Sequence, residues 1–438
     1  MTVIELGDVT SGSPPAEPAR RRGGPFHLRR YAVAAVAALC VLTVTGSARP
    51  DPQMLRTVWS VSGQPDDSLQ VTADMVYVFG TSSGSSIRAY DAARGELLWS
   101  RKAPGQNGWI HGEQHGVVLL PSAEPQVTAP GPEDNGYDAS FAVQTVAVDQ
   151  RTGAELWQQR GEPSWATPDT LLLTEWAFRG GGLRKVRLVR LRDGTTVWSW
   201  TPEQRVVNWT VVRATQAIVT AGPDGRIEVR RLSDGTVTAR GRVPWLLSRD
   251  SDGAFTDLHS QGDTLFVARS GNGNVTVNAY AAGTLQPRWE APATAFTGMV
   301  DCRPLMCFGG RPRGLVGRDP LTGAIRWRAE KWDNAHALPD GRLLLQANDT
   351  GRSALADAVT GRILADLATR PAVLDTETGT VLTFTPTLDP PGRYAVREFD
   401  VAGRGTLRGT LAGIGGCQVA GRYLTCLDQG TLTVRAFG

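Results

Sequence analysis

The chain has 438 residues with 50 Gly and 27 Pro, a composition that suits many short strands joined by turns rather than long helices. Lys and Arg number 46 against 43 Asp and Glu, a net charge of +3. That near-neutral balance argues against a nucleic-acid partner and gives no sign of a highly charged substrate.

Residues 1–30 are polar and rich in Pro and Gly, and read as a disordered cytoplasmic tail. Arg20, Arg21, Arg22, Arg29 and Arg30 then precede an uncharged stretch, 31–48 (YAVAAVAALCVLTVTGSA). Eighteen residues lie at the short end of a bilayer-spanning helix, about 17–25. The positive flank places the N-terminus inside and residues 49–438 outside. The reading taken is a retained single-pass anchor, because the leading region is long and contains Glu5, Asp8 and Glu17. The alternative is a signal peptide cleaved after Gly46-Ser47-Ala48, which would leave a secreted protein. Cys40 follows Leu39, not a lipoprotein cleavage box, and reads as a small apolar residue in lipid.

From Thr57 onward one unit recurs, most clearly as 141–160 (FAVQTVAVDQRTGAELWQQR). Period-2 alternation up to Asp149 predicts a strand, the Asp opens a turn, and Gly153 can take positive φ at no steric cost. A second strand follows, with Trp157 four residues past the glycine. Equivalent glycines fall at Gly95, Gly194, Gly235, Gly283, Gly323 and Gly361, with a blurred copy near Gly403. A period near 40 means a propeller or solenoid, since one hairpin unit cannot bury its own faces. Residues 121–140 form a polar insertion between strands.

The tryptophans follow the same beat. Trp99, Trp157, Trp198 and Trp327 each lie four residues past a turn glycine, and Trp289 lies six past Gly283. Ala239 and Ala365 hold that slot in two degenerate copies. A ring repeated in most copies marks architecture, packed between neighbouring blades, rather than a ligand site.

The pattern Ala-x-Asp-x-x-x-Gly-x-x-x-Trp, present as Ala147, Asp149, Gly153, Trp157 and as Ala89, Asp91, Gly95, Trp99, resembles the tryptophan-docking repeat of quinoprotein (PQQ-type) β-propellers. Asp319, Gly323 and Trp327 match in part. The resemblance spans 57–438 and implies an all-β propeller of eight or nine four-stranded blades after the single transmembrane helix. It implies blade-docking roles for Asp91, Trp99, Asp149, Trp157, Trp198, Trp289, Asp319 and Trp327. It does not choose between quinone-dependent dehydrogenases and the family's cofactor-free members. A dehydrogenase of this kind carries an adjacent Cys-Cys pair over the cofactor, which this chain lacks.

Other candidate chemistry is sparse. His111 and His115, with Glu113 between them, stand on one side of a possible strand, close enough for a metal. The spacing is not the helical H-E-x-x-H and no third ligand is evident, so they read as polar strand residues. Asp134, Asn135 and Asp138 lack the other positions of a calcium loop. Gly180–Gly182 and Gly271–Asn274 read as hairpin turns. The function expected is therefore a non-catalytic, extracytoplasmic binding platform for a protein or glycan, without cofactor or metal. The alternative is a quinone-dependent oxidoreductase.

Two structural expectations follow. The strand 57–61 (TVWSV) has no copy before it, and the last copy lacks its Trp-bearing strand, so the N-terminal strand should complete the final blade beside Leu432–Arg435. A two-residue turn at Gly421-Arg422 places Cys417 opposite Cys426, and one at Pro304-Leu305 places Cys302 opposite Cys307. Two cross-strand disulfides are expected in the oxidising compartment, with a C-x4-C metal site as the alternative.

Overall fold

The computed structural model describes residues 55–80, 86–102, 110–121, 126–128, 139–177, 182–246, 255–271, 274–293, 298–309 and 314–437. The expected tail and anchor, and the Asp134, Asn135 and Asp138 group, lie outside these. Among the described residues no helix is long and apolar enough to cross a membrane.

Nine four-stranded antiparallel sheets follow one another along the chain. Blade 1 spans 68–102, blade 2 112–160, blade 3 162–200, blade 4 208–242, blade 5 255–293, blade 6 298–329, blade 7 334–368 and blade 8 372–411. Blade 9 takes three strands from 418–436 and its fourth from Arg56–Ser62. That strand pairs with Thr431–Ala436, Trp59 opposite Val434, as the unpaired TVWSV segment predicts. Between eight and nine blades, the structure has nine. Within a blade the strands are lettered a to d from the channel outward, since a strands of neighbouring blades converge.

The sequence pattern of each blade follows from what its strands touch. Strand b is covered on both faces by neighbouring blades, so it is apolar without alternation, as in Met75–Gly80, Val117–Pro121 and Thr170–Trp176. In blade 1, Met75, Tyr77 and Phe79 face blade 2, whereas Val76 and Val78 face blade 9. Nine apolar clusters result among the described residues, each shared by two adjacent blades. Gln418 on strand a of blade 9 fastens the ring, donating to the Leu69 carbonyl (2.7 Å) and accepting from the Val71 amide (3.1 Å) of blade 1.

The recurrent Asp and Trp divide their labour. The Asp acts inside its own turn: Asp149 Oδ1 accepts from the Arg151 and Thr152 amides, and Asp91 and Asp319 do the same for theirs. The Trp reaches into the next blade. The indole N–H groups of Trp59, Trp99, Trp157, Trp198, Trp289 and Trp327 donate to backbone carbonyls there at 2.7–3.0 Å. Each ring lies flat on that blade's turn glycine. A Cβ on Gly95, Gly153, Gly194, Gly235, Gly323 or Gly361 would stand 2.5–2.9 Å from ring atoms.

Where the Trp is missing, the turn changes. Blade 4 carries Ala239, and in blade 5 Gly283 has nothing within 4 Å of its would-be Cβ. Gly283 does not take the positive φ expected of it. Leu285 takes it instead (φ 59), with its side chain against Gly241 of blade 4. Blade 7 carries Ala365, and its joint to blade 8 is held by a buried arginine, Arg342.

Both expected disulfides are present. Cys417 and Cys426 stand opposite each other, 4.0 Å apart at Cα, in the register that a Gly421-Arg422 turn dictates. The first hairpin differs by two residues. Its turn is Arg303-Pro304, Cys302 faces Leu305, and Cys307 faces Val300, so the bridge runs diagonally with Cα atoms 5.6 Å apart. Proline has no N–H to give a ladder, and here it sits inside the turn while Leu305 pairs. These four cysteines should be inert to thiol reagents in the native protein and become labelled only after reduction. Removing either bridge should cost about 2–3 kcal/mol in the chain-entropy description.

Candidate functional site

Because every blade is antiparallel, a–b and c–d connections leave one end of the ring, and b–c and d–a connections leave the other. At the first end they are tight, two to six residues each. From the second end leave the longer connections, which join Pro121 to Gln144, Arg242 to Phe255, Lys102 to Gly112, Trp200 to Asn208 and Pro386 to Tyr394. The polar insertion belongs here and carries its own strand pair, Gln126–Thr128 with Ala139–Phe141.

The histidine motif resolves into separate parts, with Glu113 and His115 toward the tight end. Glu113 lies on strand a of blade 2, and its carboxylate accepts from Tyr77 Oη (2.8 Å), Thr72 Oγ1 (3.0 Å) and the Gln150 amide. Burial pushes its pKa up, partly offset by the Tyr77 and Thr72 hydrogen bonds. It ties blade 1 to blade 2. Burial drives His111 down to about 4, and His115 sits in the a–b turn with φ 47. Among the described residues no group of three or more His, Cys, Asp or Glu is placed to hold a metal ion. Two openings flank this end of the channel. One of about 410 Å³ lies beside Asp74, Gln150 and Arg422, and one of about 360 Å³ beside Asp375, Glu377 and Gln418.

Glu162, heading strand a of blade 3, accepts from the Ala142 amide at the foot of the insertion, and burial raises its pKa to about 7. A carboxyl whose folded pKa exceeds its unfolded one stabilises the fold most below about 4.5, and that contribution is lost as pH rises through 7. Stability measured against pH should therefore slope down between these values, and Glu162→Gln should remove that part of the slope. Buried His111 gives the opposite slope from about 6.5 down to 4, so the comparison must be variant against parent.

A third opening, about 140 Å³, lies between blades 3 and 4 and reaches the long-loop end. Arg226, Glu228 and Arg230, the even-numbered residues of Arg226–Arg231, face blade 3, so this part of the joint is charged. Trp200 ends strand d of blade 3, and the Arg230 guanidinium stacks on its ring at 3.9 Å. Glu228 bridges two arginines, accepting from Arg230 and from Arg240 Nε (2.9 Å). Burial pushes the Glu228 carboxyl up, but hydrogen bonds from Arg240 and Arg230 outweigh it and hold its pKa down. Arg226 meets the neutral Gln204 Oε1 at 2.6 Å. The net charge conceals this groove. Residues 182–243 hold twelve basic against five acidic side chains, so the rest of the chain is net acidic.

Residues 53–160, the closing strand and blades 1 and 2, match the family model described as outer membrane protein assembly factor BamB. The repeat there is of the PQQ-like β-propeller type, as Asp91, Trp99, Asp149 and Trp157 suggest. Among solved structures the chain is similar to BamB from Moraxella catarrhalis (15% identity, 88% of this chain and 100% of that one, TM-score 0.44). It is also similar to a europium-containing methanol dehydrogenase (13%, 77% and 86%, 0.44) and to the computationally designed Ika8 protein (12%, 87% and 100%, 0.45). Overlaps this loose say nothing of what the chain does. Comparison with curated proteins gave no match.

Proposed function

We propose that the chain is a non-catalytic binding platform, held outside the membrane by a helix at residues 31–48, that presents the long-loop end of its ring to a protein or glycan partner. The observation that carries this reading is the one-ended distribution of long connections, because a rim assembled from loops of many blades offers a broad contact surface. The match of residues 53–160 to an assembly-factor model supports a scaffold role. The two disulfides support an oxidising, extracytoplasmic compartment. At the channel Glu113 serves the fold, its carboxylate used up by three donors from its own chain.

The test has two arms. The full-length protein, recovered from its own cell envelope, should bring a partner with it, and trimming the 121–140 insertion should weaken that capture. In parallel, quinone cofactor and calcium are added and dye-linked oxidation of alcohols and sugars is followed. Cofactor-dependent turnover that disappears when calcium is removed would overturn the platform reading in favour of an oxidoreductase.

A further inference from the structure

We infer that the groove between blades 3 and 4 is a carboxylate-binding site, and that its occupant is an acidic polypeptide segment of a partner. This rests on the platform reading and gives it a chemistry. Four arginines line the groove (Arg205, Arg226, Arg230 and Arg240) against two carboxylates, Glu203 and Glu228. The surplus is usable because of how the arginines are held. Arg230, 12% exposed, is fixed by Glu228, by the Gly235 carbonyl and by the Trp200 ring, and so forms the rigid floor. Arg240, 65% exposed, meets Glu228 through Nε, and the paired terminal nitrogens of its fork have no partner among the described residues. Arg226 turns one nitrogen to an uncharged amide and stands 3.8 Å from Asp224, whose nearer partner is Arg242 at 2.7 Å. A guanidinium fork presents two parallel N–H groups, the geometry a carboxylate accepts bidentately.

The size and walls favour a side chain over a sugar. About 140 Å³ is room for one acidic side chain and its carboxylate. The aromatic surface that a sugar ring would stack on is already taken: Arg230 covers Trp200, and the indole packs into the joint's apolar cluster. Glu228 is then the groove's internal competitor, holding two guanidinium groups that a ligand carboxylate would share.

The experiment uses full-length protein and hexaglutamate, titrated at low and at physiological salt, with hexagalacturonate and inorganic sulfate as comparison probes. Hexaglutamate should bind, with affinity falling as salt rises. Arg226→Ala with Arg240→Ala, both exposed side chains, should weaken it tenfold or more. Glu228→Gln should strengthen it several-fold, an effect opposite to that of mere damage to the joint. Equal binding by the parent and the double variant would overturn the proposal, as would no binding at low salt. Tighter binding of hexagalacturonate would overturn the polypeptide assignment. Envelope capture that survives the double variant would remove the groove while leaving the platform intact, so the two readings fail separately.

Discussion

Gly361→Ala should destabilise the propeller by about 3 kcal/mol, while Gly283→Ala, at the same position of another repeat, should change stability by less than about 0.5 kcal/mol. Gly361 has φ 69, and a Cβ there would stand 2.7 Å from the Trp327 ring, so the substitution combines left-handed backbone cost with displacement of an indole from its seat. Gly283 has neither a positive φ nor a neighbour within 4 Å. Urea denaturation of the two variants makes the comparison. Trp327→Ala alone should cost about 3–5 kcal/mol. Adding Gly361→Ala to it should then cost only the backbone part, about 1–2 kcal/mol, because the ring it collides with is gone. Equal losses from the two glycine variants would show that the indole seat is not what these turns are built for.

Arg342→Met should cost about 3–5 kcal/mol, the largest effect expected of any single charged residue here. The side chain is 5% exposed and spends four hydrogen bonds and an ion pair within the joint of blades 7 and 8. Nε and Nη2 engage Asp340, Nη2 reaches the Gly379 carbonyl at 2.6 Å, and Nη1 reaches those of Phe399 and Asp400 at 3.0 and 2.9 Å. Methionine would leave three carbonyls and a carboxylate facing one another without a donor. Arg342→Lys should also lose more than about 2 kcal/mol, since one ammonium cannot span acceptors arranged around a planar fork. Hydrogen exchange of the amides at Gly379 and Gly403, which close the two turns of blade 8, should quicken in both variants. A variant within about 1 kcal/mol of the parent would mean that blade 7 is joined to blade 8 by its apolar cluster alone.

What could be read from sequence was whatever repeats or stands conspicuously alone. The strand 57–61 had no partner before it, so closure against Val434 was legible. The Cys417 hairpin was legible because Gly421-Arg422 is an unambiguous turn, whereas at Cys302 the turn falls one residue earlier than expected, at Arg303-Pro304. The partner of each tryptophan was not legible. In a repeat of near-constant period, Trp157 has the same spacing logic to its own Gly153 as to Gly194 of the next blade, and only the second lies beneath its ring. Arg342 belongs to no repeat, and its acceptors are carbonyls, which every residue has. The arginine groove was hidden by averaging, for a chain-wide charge of +3 says nothing about a wedge between two sheets. Its residues could have been found by counting charge blade by blade.

The shared ninth blade sets a timetable. Ser60 hydrogen-bonds to Leu432, 372 residues later in the chain. At about 5–20 residues per second of synthesis, the first strand made waits roughly 20–75 s for the last. Throughout that interval Trp59 has a seat to occupy once blade 1 exists, but the backbone of residues 56–62 has no ladder to join, and blade 1 shows an uncovered apolar face at Val76 and Val78. A nascent chain in that state carries a bare β edge beside exposed apolar surface, the combination that recruits a second chain. The ring is therefore most vulnerable just before it is finished, and slowing translation near residue 430 should lower its yield even though no contact of the final fold is altered.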